Sequence, residues 1–352
     1  MSIKRRSLGF AAVALLAGVA TTAICLASPG APIGLDGGAL ADAPRDPIAI
    51  LLSGRTWLNG RPTPQSLRGK VVLVNFWTYS CINSLRPLPY LRAWQAKYGD
   101  RLVVIGVHTP EFAFEKDPAK VRQALADHGI DYPVVLDNDY ALWRQFGNRG
   151  WPGFYVIDPQ GSVRGYRVGE GDYADTQRLL GVPLADLPAV DGQGIEKAPD
   201  WADLASPESY VGFDKAVHFR SPGGLRQRRP FTYSPAPSLP LNHWDLAGRW
   251  TVGGEFATPD EAAARIRIAF HARDLHLVLG APADGRAARF RVLIDGKAPG
   301  ADHGTDVDAQ GWGEVRQDRL YQLVRQTGAI ADRTVTIEFE QPGARVYVFT
   351  FG

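Results

Sequence analysis

The chain has 352 residues, of which 45% are hydrophobic and 22% are charged. This composition is typical of a globular protein and excludes a disordered or fibrous one. A formal net charge of +2 is too small to indicate nucleic acid as a partner. At about 100–200 residues per domain, the length allows two domains.

The N-terminal residues predict an export signal. Residues 1–6 form a cationic leader, and residues 8–27 carry no charge, which is the arrangement of a secretory signal peptide. Arg5-Arg6-Ser7-Leu8 loosely matches a twin-arginine signal. The signal is expected either to be cleaved after Ala27 or to remain as an uncleaved membrane anchor. The second alternative stays open because the apolar run approaches the ~20 residues that span a bilayer. We therefore expect the protein in the periplasm or cell envelope, soluble or tethered.

Residues 28–47, rich in Gly, Pro and Ala, are expected to form a tether, and the segment 48–183 then alternates strands with helices. The predicted strands lie at 71–76, 101–108, 132–136, 154–158 and 162–168, and the predicted helices at 85–98, 117–128, 140–146 and 175–180. Alternation of this kind indicates an α/β domain with a mixed central sheet.

The composition changes after this segment. Residues 184–207 are rich in Pro, Asp and Ala and are expected to form a linker, and 208–352 a second domain. Apolar and polar residues alternate in six runs, 264–272, 274–280, 288–295, 319–325, 333–340 and 344–351. Many short alternating strands predict an all-β jelly roll or β-sandwich.

The most informative motif is Trp77-Thr78-Tyr79-Ser80-Cys81-Ile82-Asn83-Ser84, between a predicted strand and a predicted helix. A thioredoxin-type fold places its nucleophilic cysteine there, where free N–H groups of the helix favour the thiolate. Trp77 lies four residues before Cys81, and Pro89 lies eight after it, where this fold kinks its first long helix. Trp151-Pro152 precedes a predicted strand, at the place of a cis-proline loop. This combination predicts a thioredoxin-like domain.

The position of a second motif cysteine is occupied by Ser84. In a dithiol site the second cysteine resolves the mixed disulfide. A serine cannot do so, although its hydroxyl can donate a hydrogen bond to the Cys81 thiolate. We therefore expect monothiol exchange through Cys81, resolved by an external small-molecule or protein thiol.

The other cysteine is Cys25. Signal removal would leave Cys81 alone, and a retained Cys25 would lie in or at the membrane. We therefore expect the chain to form no internal disulfide.

Further residues complete the predicted site. Glu111 follows the strand predicted at 101–108, where it is either a proton acceptor for Cys81 or a solvated carboxylate. The substrate groove beside the thiol is expected to be shaped by Trp77, Tyr79, Trp151 and Pro152. The sequence suggests neither a cofactor nor a metal site.

Six stretches carry a family resemblance, Asn75–Asn83, Gly106–Phe112, Leu136–Tyr140, Gly169–Tyr173, Leu246–Trp250 and Val348–Gly352. Through them, residues 48–352 resemble the extracytoplasmic C-terminal half of DipZ-type members of the DsbD thiol:disulfide interchange family. The resemblance implies a TlpA-like thioredoxin domain, a jelly roll similar to carbohydrate-binding modules, and exported proteins with thiols or disulfides as partners. The chain departs from the family at Ser84. It also carries one apolar N-terminal segment in place of an electron-carrying membrane domain.

Two other functions stay open from the sequence. One is a redox-inactive binding protein whose jelly roll recognises a glycan or a protein partner. Ser84 favours this alternative, whereas Cys81, Trp77 and Pro152 favour exchange. Four aromatic residues of the second domain are candidates for a sugar-stacking platform or for the core, Trp244, Trp250, Trp312 and Tyr321.

The second alternative is a peroxiredoxin-like peroxidase. Thr78-x-x-Cys81 matches part of the P-x-x-x-T-x-x-C motif of that family. However, Val74 occupies the position where the motif requires proline.

Overall fold

A computed structural model describes residues 24–25, 44–182, 190 and 192–352. The predicted signal or anchor therefore lies outside the described residues, apart from the backbone of 24–25. Most of the predicted tether and part of the predicted linker also lie outside them. Over the described ranges, no helix has the length and apolar character needed to cross a membrane.

The α-helices described are α1 (Pro47–Leu51), α2 (Pro64–Leu67), α3 (Ile82–Leu85), α4 (Leu88–Tyr98), α5 (Pro118–Asp127), α6 (Ala141–Gln145) and α7 (Tyr173–Leu180). The first strands are β1 (Ile24–Cys25), β2 (Trp57–Leu58), β3 (Val71–Trp77), β4 (Leu102–His108), β5 (Val134–Leu136), β6 (Gly150–Trp151), β7 (Gly153–Ile157) and β8 (Val163–Val168). Those that follow are β9 (Ser209–Tyr210), β10 (Pro230–Tyr233), β11 (Trp244–Val252), β12 (Ala257–Pro259), β13 (Ala264–Phe270), β14 (Asp274–Gly280), β15 (Ala288–Ile294), β16 (Trp312–Val315), β17 (Arg319–Arg325), β18 (Arg333–Phe339) and β19 (Arg345–Phe351).

The first region is built on a mixed six-stranded sheet in the order β2-β5-β4-β3-β7-β8. Strand β3 is parallel to β4 and antiparallel to β7. Its residues Val72–Trp77 are all buried, as expected of an apolar strand covered on both faces. The predicted α/β thioredoxin-like fold is confirmed, and the carboxyl end of β3 delivers the cysteine motif.

The helix after the motif is broken before Pro89, the residue at which the sequence predicts the kink. Helix α3 ends at Leu85 and α4 begins at Leu88, so the break is at Arg86-Pro87, whereas Pro89 lies in the first turn of α4. Pro87 has no backbone N–H and cannot continue the hydrogen bonding of α3. Pro89 is tolerated because N–H groups of a first helical turn lack intrahelical partners.

The second region is an eleven-stranded antiparallel sheet with the path β16-β15-β18-β13-β11-β12-β19-β14-β17. Strands β10 and β9 pair with β11 and β19 at its side. Strands β16, β15, β18 and β13 form one half of this sheet, and strands β12, β19, β14 and β17 form the other half. Residues of both halves contribute to one buried core, which includes Trp244, Trp250 and Tyr321. The all-β prediction is confirmed, and these three aromatic residues serve the core rather than a sugar platform. Trp312 is half-buried beneath the guanidinium groups of Arg289 and Arg291, at 4.2 and 5.2 Å.

Strand β11, which the sequence analysis missed, joins the two halves. Trp244–Ala247 pair with β13, whereas Trp250–Val252 pair with β12. Gly248 lies at the change of partner with φ of +86°, a conformation that glycine adopts readily. Because residues with a side chain are strained at this φ, the bend needs glycine.

The two regions pack directly against each other. Phe112 and Phe114 of the first region each lie 4.9 Å, between ring centroids, from Tyr347 of the second. These aromatic side chains are buried in one cluster with residues around the motif. The loop after β4 is therefore held between the cysteine motif and the second region.

Candidate functional site

The cysteine motif forms a tight turn after β3. Cys81 is the N-cap residue of α3, and its N–H donates to the carbonyl of Thr78 at 3.4 Å. Its own carbonyl accepts from the N–H of Ser84 at 3.0 Å. The turn thus places Cys81 and Ser84 one helical turn apart, as in a C-x-x-C motif.

Cys81 is 2% exposed and packs in an apolar cluster with Trp143, Phe146 and Trp151. It is disulfide-bonded in this structure, so the prediction that the chain forms no internal disulfide is wrong. The backbone of β1 pairs in parallel with β6, with Cys25 opposite Trp151. The backbone of residues 24–25, which the sequence assigned to a signal or membrane anchor, thus lies beside the Trp151–Pro152 loop. Cys81 can form a thiolate only after its disulfide has been reduced.

Ser84 is fully buried, and its hydroxyl oxygen accepts from the N–H of Thr78 at 3.5 Å. The Thr78 hydroxyl lies 3.4 Å from His108 Nε2. Burial lowers the pKa of His108 to about 3, so its imidazole stays neutral near neutral pH. Ser84, Thr78 and His108 therefore form a polar network at the cysteine motif, in which the imidazole carries no charge near neutral pH.

The predicted groove residues are all buried. Trp77 meets the His108 ring edge-on at 5.4 Å, and Tyr79 stacks on the same ring at 5.6 Å. Trp151 is 1% exposed and donates from Nε1 to the carbonyl of Thr109 at 3.0 Å. The Trp151–Pro152 peptide bond is cis, the isomer expected from its place in the sequence.

Tyr79 and Cys81 belong to different clusters. Tyr79 packs with residues of the second region, whereas Cys81 packs with Trp143 and Trp151. Tyr79 also lines a cleft of about 990 Å³ between the two regions, together with Lys120 of α5. The structure thus brings Trp151 to the thiol and places Tyr79 on the interface between the regions.

Glu111 is engaged by the second region. Its carboxylate accepts from the Tyr210 hydroxyl at 2.6 Å and from Lys215 Nζ at 3.1 Å. Its side chain is 3% exposed, so the alternative of a solvated carboxylate is wrong. These contacts hold the carboxylate at the interface between the regions.

A different carboxylate, Glu115, contacts the motif. Its Oε1 accepts from Ser80 twice, from Oγ at 2.6 Å and from the N–H at 3.3 Å. Burial raises the pKa of Glu115 to about 7, although hydrogen bonds from Ser80, Thr78 and Phe112 oppose the shift. Sequence reasoning missed Glu115 because an acid beside Lys116 looks like a solvated one. Its role depends on the contact with Ser80, which forms only when the chain is folded.

The described residues contain no group of three or more His, Cys, Asp or Glu side chains placed to hold a metal ion.

Comparison with known proteins gives two family matches. Residues 61–180 match the Redoxin family, and residues 206–352 match the thioredoxin-like C-terminal domain family. YkuV of Bacillus subtilis, a thiol-disulfide oxidoreductase, is 36% identical over 143 residues, which are 40% of this chain and 97% of YkuV. The chain belongs to the thioredoxin-like thiol-disulfide oxidoreductase family.

DipZ of Mycobacterium tuberculosis is 41% identical over 251 residues, 68% of this chain. The match spans 35% of the length of DipZ. This chain is therefore similar to one part of DipZ. A solved thioredoxin-like protein in its oxidized form is 33% identical, with a TM-score of 0.34. That match covers 38% of this chain and 90% of the solved one.

Proposed function

We propose that the protein is an exported thiol-disulfide exchange protein that acts through Cys81. The observation that carries the proposal is the position of Cys81. It begins the helix after β3, packs against Trp151 of the cis-proline loop, and occurs in a chain of the oxidoreductase family. Exported proteins with thiols or disulfides are the proposed partners, and the periplasm or cell envelope is the proposed location.

The exchange has two steps. The Cys81 thiolate attacks one sulfur of a substrate disulfide, a new S–S bond forms, and the other substrate sulfur leaves as a thiolate. A second thiolate must then attack the mixed disulfide so that Cys81 leaves. Ser84 cannot supply it, because its hydroxyl is not ionised at neutral pH. We therefore propose that the resolving thiol comes from outside the C-x-x-S motif, from a small molecule or a protein.

Substrate binding is proposed at the Trp151–Pro152 loop. The backbone there already pairs with a short strand, β1, in parallel register. An extended substrate segment can use the same main-chain hydrogen bonds, as in strand addition to a sheet edge. Trp77, which is buried beside His108, is proposed to support the groove from below, whereas Tyr79 lies on the interface between the regions.

The test is capture of partners by the reduced protein. Because Cys81 is disulfide-bonded within the chain, the capture uses the reduced Cys25→Ser variant, in which Cys81 is the one cysteine. Mixed disulfides formed by this variant should persist until outside thiol is added. Diagonal non-reducing and reducing gels of cell-envelope extracts should show adducts that disappear on reduction, and Cys81→Ala should abolish them.

Identical gels for the Cys25→Ser variant with and without Cys81→Ala would overturn the proposal. The redox-inactive binding protein would then be the better description.

A further inference from the structure

The carboxylate of Glu115 joins two segments of the thiol site. Its Oε1 accepts both donors of Ser80, the residue before Cys81. Its Oε2 accepts from the backbone N–H groups of Glu111 and Phe112. A carboxylate can accept four hydrogen bonds only when it is ionised. The arrangement therefore binds a negative charge, directly against the turn that carries the nucleophile.

This charge is buried. Glu115 is fully buried, and Ser80 is 1% exposed. A charge interacts more strongly across a buried, weakly screened environment than in water. A thiolate on Cys81 would add a second negative charge in the same turn, one residue after Ser80, which binds the first. The two ionisations must then oppose each other, so each group titrates as part of a pair.

We propose that Glu115 is a positioning residue of the thiol site, which fixes the Ser80–Cys81 turn and whose charge raises the pH at which Cys81 ionises. This inference rests on the proposed exchange at Cys81 and concerns how that thiol is controlled. The loop that carries Glu115 is also attached to the second region, because Glu111 in the same loop is bound by Tyr210 and Lys215.

Other ionisable groups around Glu115 keep one charge state near neutral pH or are paired. Burial keeps His108 neutral, and burial raises the pKa of Tyr79, Tyr140 and Tyr347 so that their phenols stay protonated. The remaining charged groups nearby are Glu111 with Lys215, Lys120 with Asp318, Asp117, which caps α5, and Glu255, which accepts from the N–H of Ala113. Burial also raises the pKa of Glu208, which contacts the Tyr210 hydroxyl beside Glu111 and does not contact the motif turn. Cys81 and Glu115 are thus the pair at the motif turn expected to change charge together.

The experiment is alkylation of the reduced protein by iodoacetamide from pH 5 to pH 10. It uses the Cys25→Ser background, in which Cys81 is the one thiol. We expect two inflections for the unchanged site. Glu115→Gln should leave one inflection, shifted to lower pH by half a unit or more. Such a shift makes the rate below the inflection about threefold higher. Glu115→Asp keeps the charge and should restore the higher inflection. Glu338→Gln, at the exposed pair with Arg265, is the matched control and should change nothing.

Loss of thermal stability in Glu115→Gln with an unshifted thiol titration would overturn the inference, because a purely structural role predicts that result. If Glu115→Gln does not fold, the Ser80→Ala variant tests the inference instead. It removes the 2.6 Å donor and keeps the charge, so the lower inflection should move to higher pH, and no movement would also overturn the inference. Absence of any Cys81 alkylation, by contrast, would refute the proposed exchange itself.

Discussion

Arg86 donates from Nη1 to Glu170 Oε1 at 2.8 Å, and the two side chains are 2% and 1% exposed. Arg86 follows Ser84 by two residues, and its Nη2 lies 3.4 Å from the carbonyl of Phe351 in β19. One guanidinium thus ties the end of the motif helix to the turn after β8 and to the last strand of the second region. Burial raises the pKa of Glu170, and the Arg86 charge opposes that shift.

The buried pair predicts a large loss of stability when one partner is removed. Arg86→Met leaves Glu170 buried without its counter-charge, which should cost about 3–5 kcal/mol in the free energy of unfolding. Adding Glu170→Gln should recover most of that loss. Urea unfolding measures both. Arg265→Met, at the exposed pair with Glu338, is the control and should cost under about 1 kcal/mol. Equal losses for Arg86→Met and Arg265→Met would show that the buried pair adds nothing.

His276 predicts a specific acid sensitivity. It is 1% exposed in β14, and burial lowers its pKa to about 3, from an ordinary value of 6.5. Since the folded state holds the neutral ring, the folded protein binds fewer protons than the unfolded chain below pH 6.5. Stability is therefore full above pH 6.5 and falls as the pH decreases, by about 1.4 kcal/mol for each unit.

His276→Gln removes that titration. The difference in unfolding free energy between wild type and variant should change by about 1.4 kcal/mol per unit between pH 6 and pH 4. His108 is also held neutral by burial, but it is present in both proteins and cancels from the difference. A difference that does not depend on pH would mean that His276 is not buried as a neutral ring.

Ser84→Cys is expected to complete a dithiol site. Ser84 is buried one helical turn after Cys81, with its N–H on the Cys81 carbonyl at 3.0 Å. In the Cys25→Ser background, mild oxidation of the variant should remove two thiols, and the reduced form should catalyse the reduction of insulin by dithiothreitol, which regenerates the dithiol after each turnover. Ser84→Ala in the same background is the matched control and should do neither. If both thiols stay titratable after oxidation, the motif turn does not hold the two positions as in a C-x-x-C site.

Features set by local pattern could be predicted from the sequence. Apolar runs gave β3 and β4, and the motif spacing gave the place of Cys81 and of Pro152. Features set by contacts between distant segments could not. Glu115 is recognised only by its contact with Ser80, 35 positions away. The same holds for the Arg86–Glu170 pair, and for the bend of β11, where Gly248 interrupts the alternation of apolar and polar residues.

The Cys81 disulfide shows the same limit more sharply. The N-terminal residues carry the pattern of an export signal, which argues for their removal or for a membrane location. The pairing of β1 with β6 is a backbone interaction that two residues of any type can make. No sequence pattern therefore predicts the pairing of β1 with β6.

The central claim, exchange through Cys81, is tested most directly by the intact mass of the protein after reaction with a disulfide-linked peptide pair. The reduced Cys25→Ser variant should gain the mass of one peptide half, release the other half as a thiol, and return to its original mass when excess thiol is added. The same variant carrying Cys81→Ala should keep its mass throughout. A reduced Cys25→Ser protein that gains no mass, or gains it as readily after Cys81→Ala, would contradict the account.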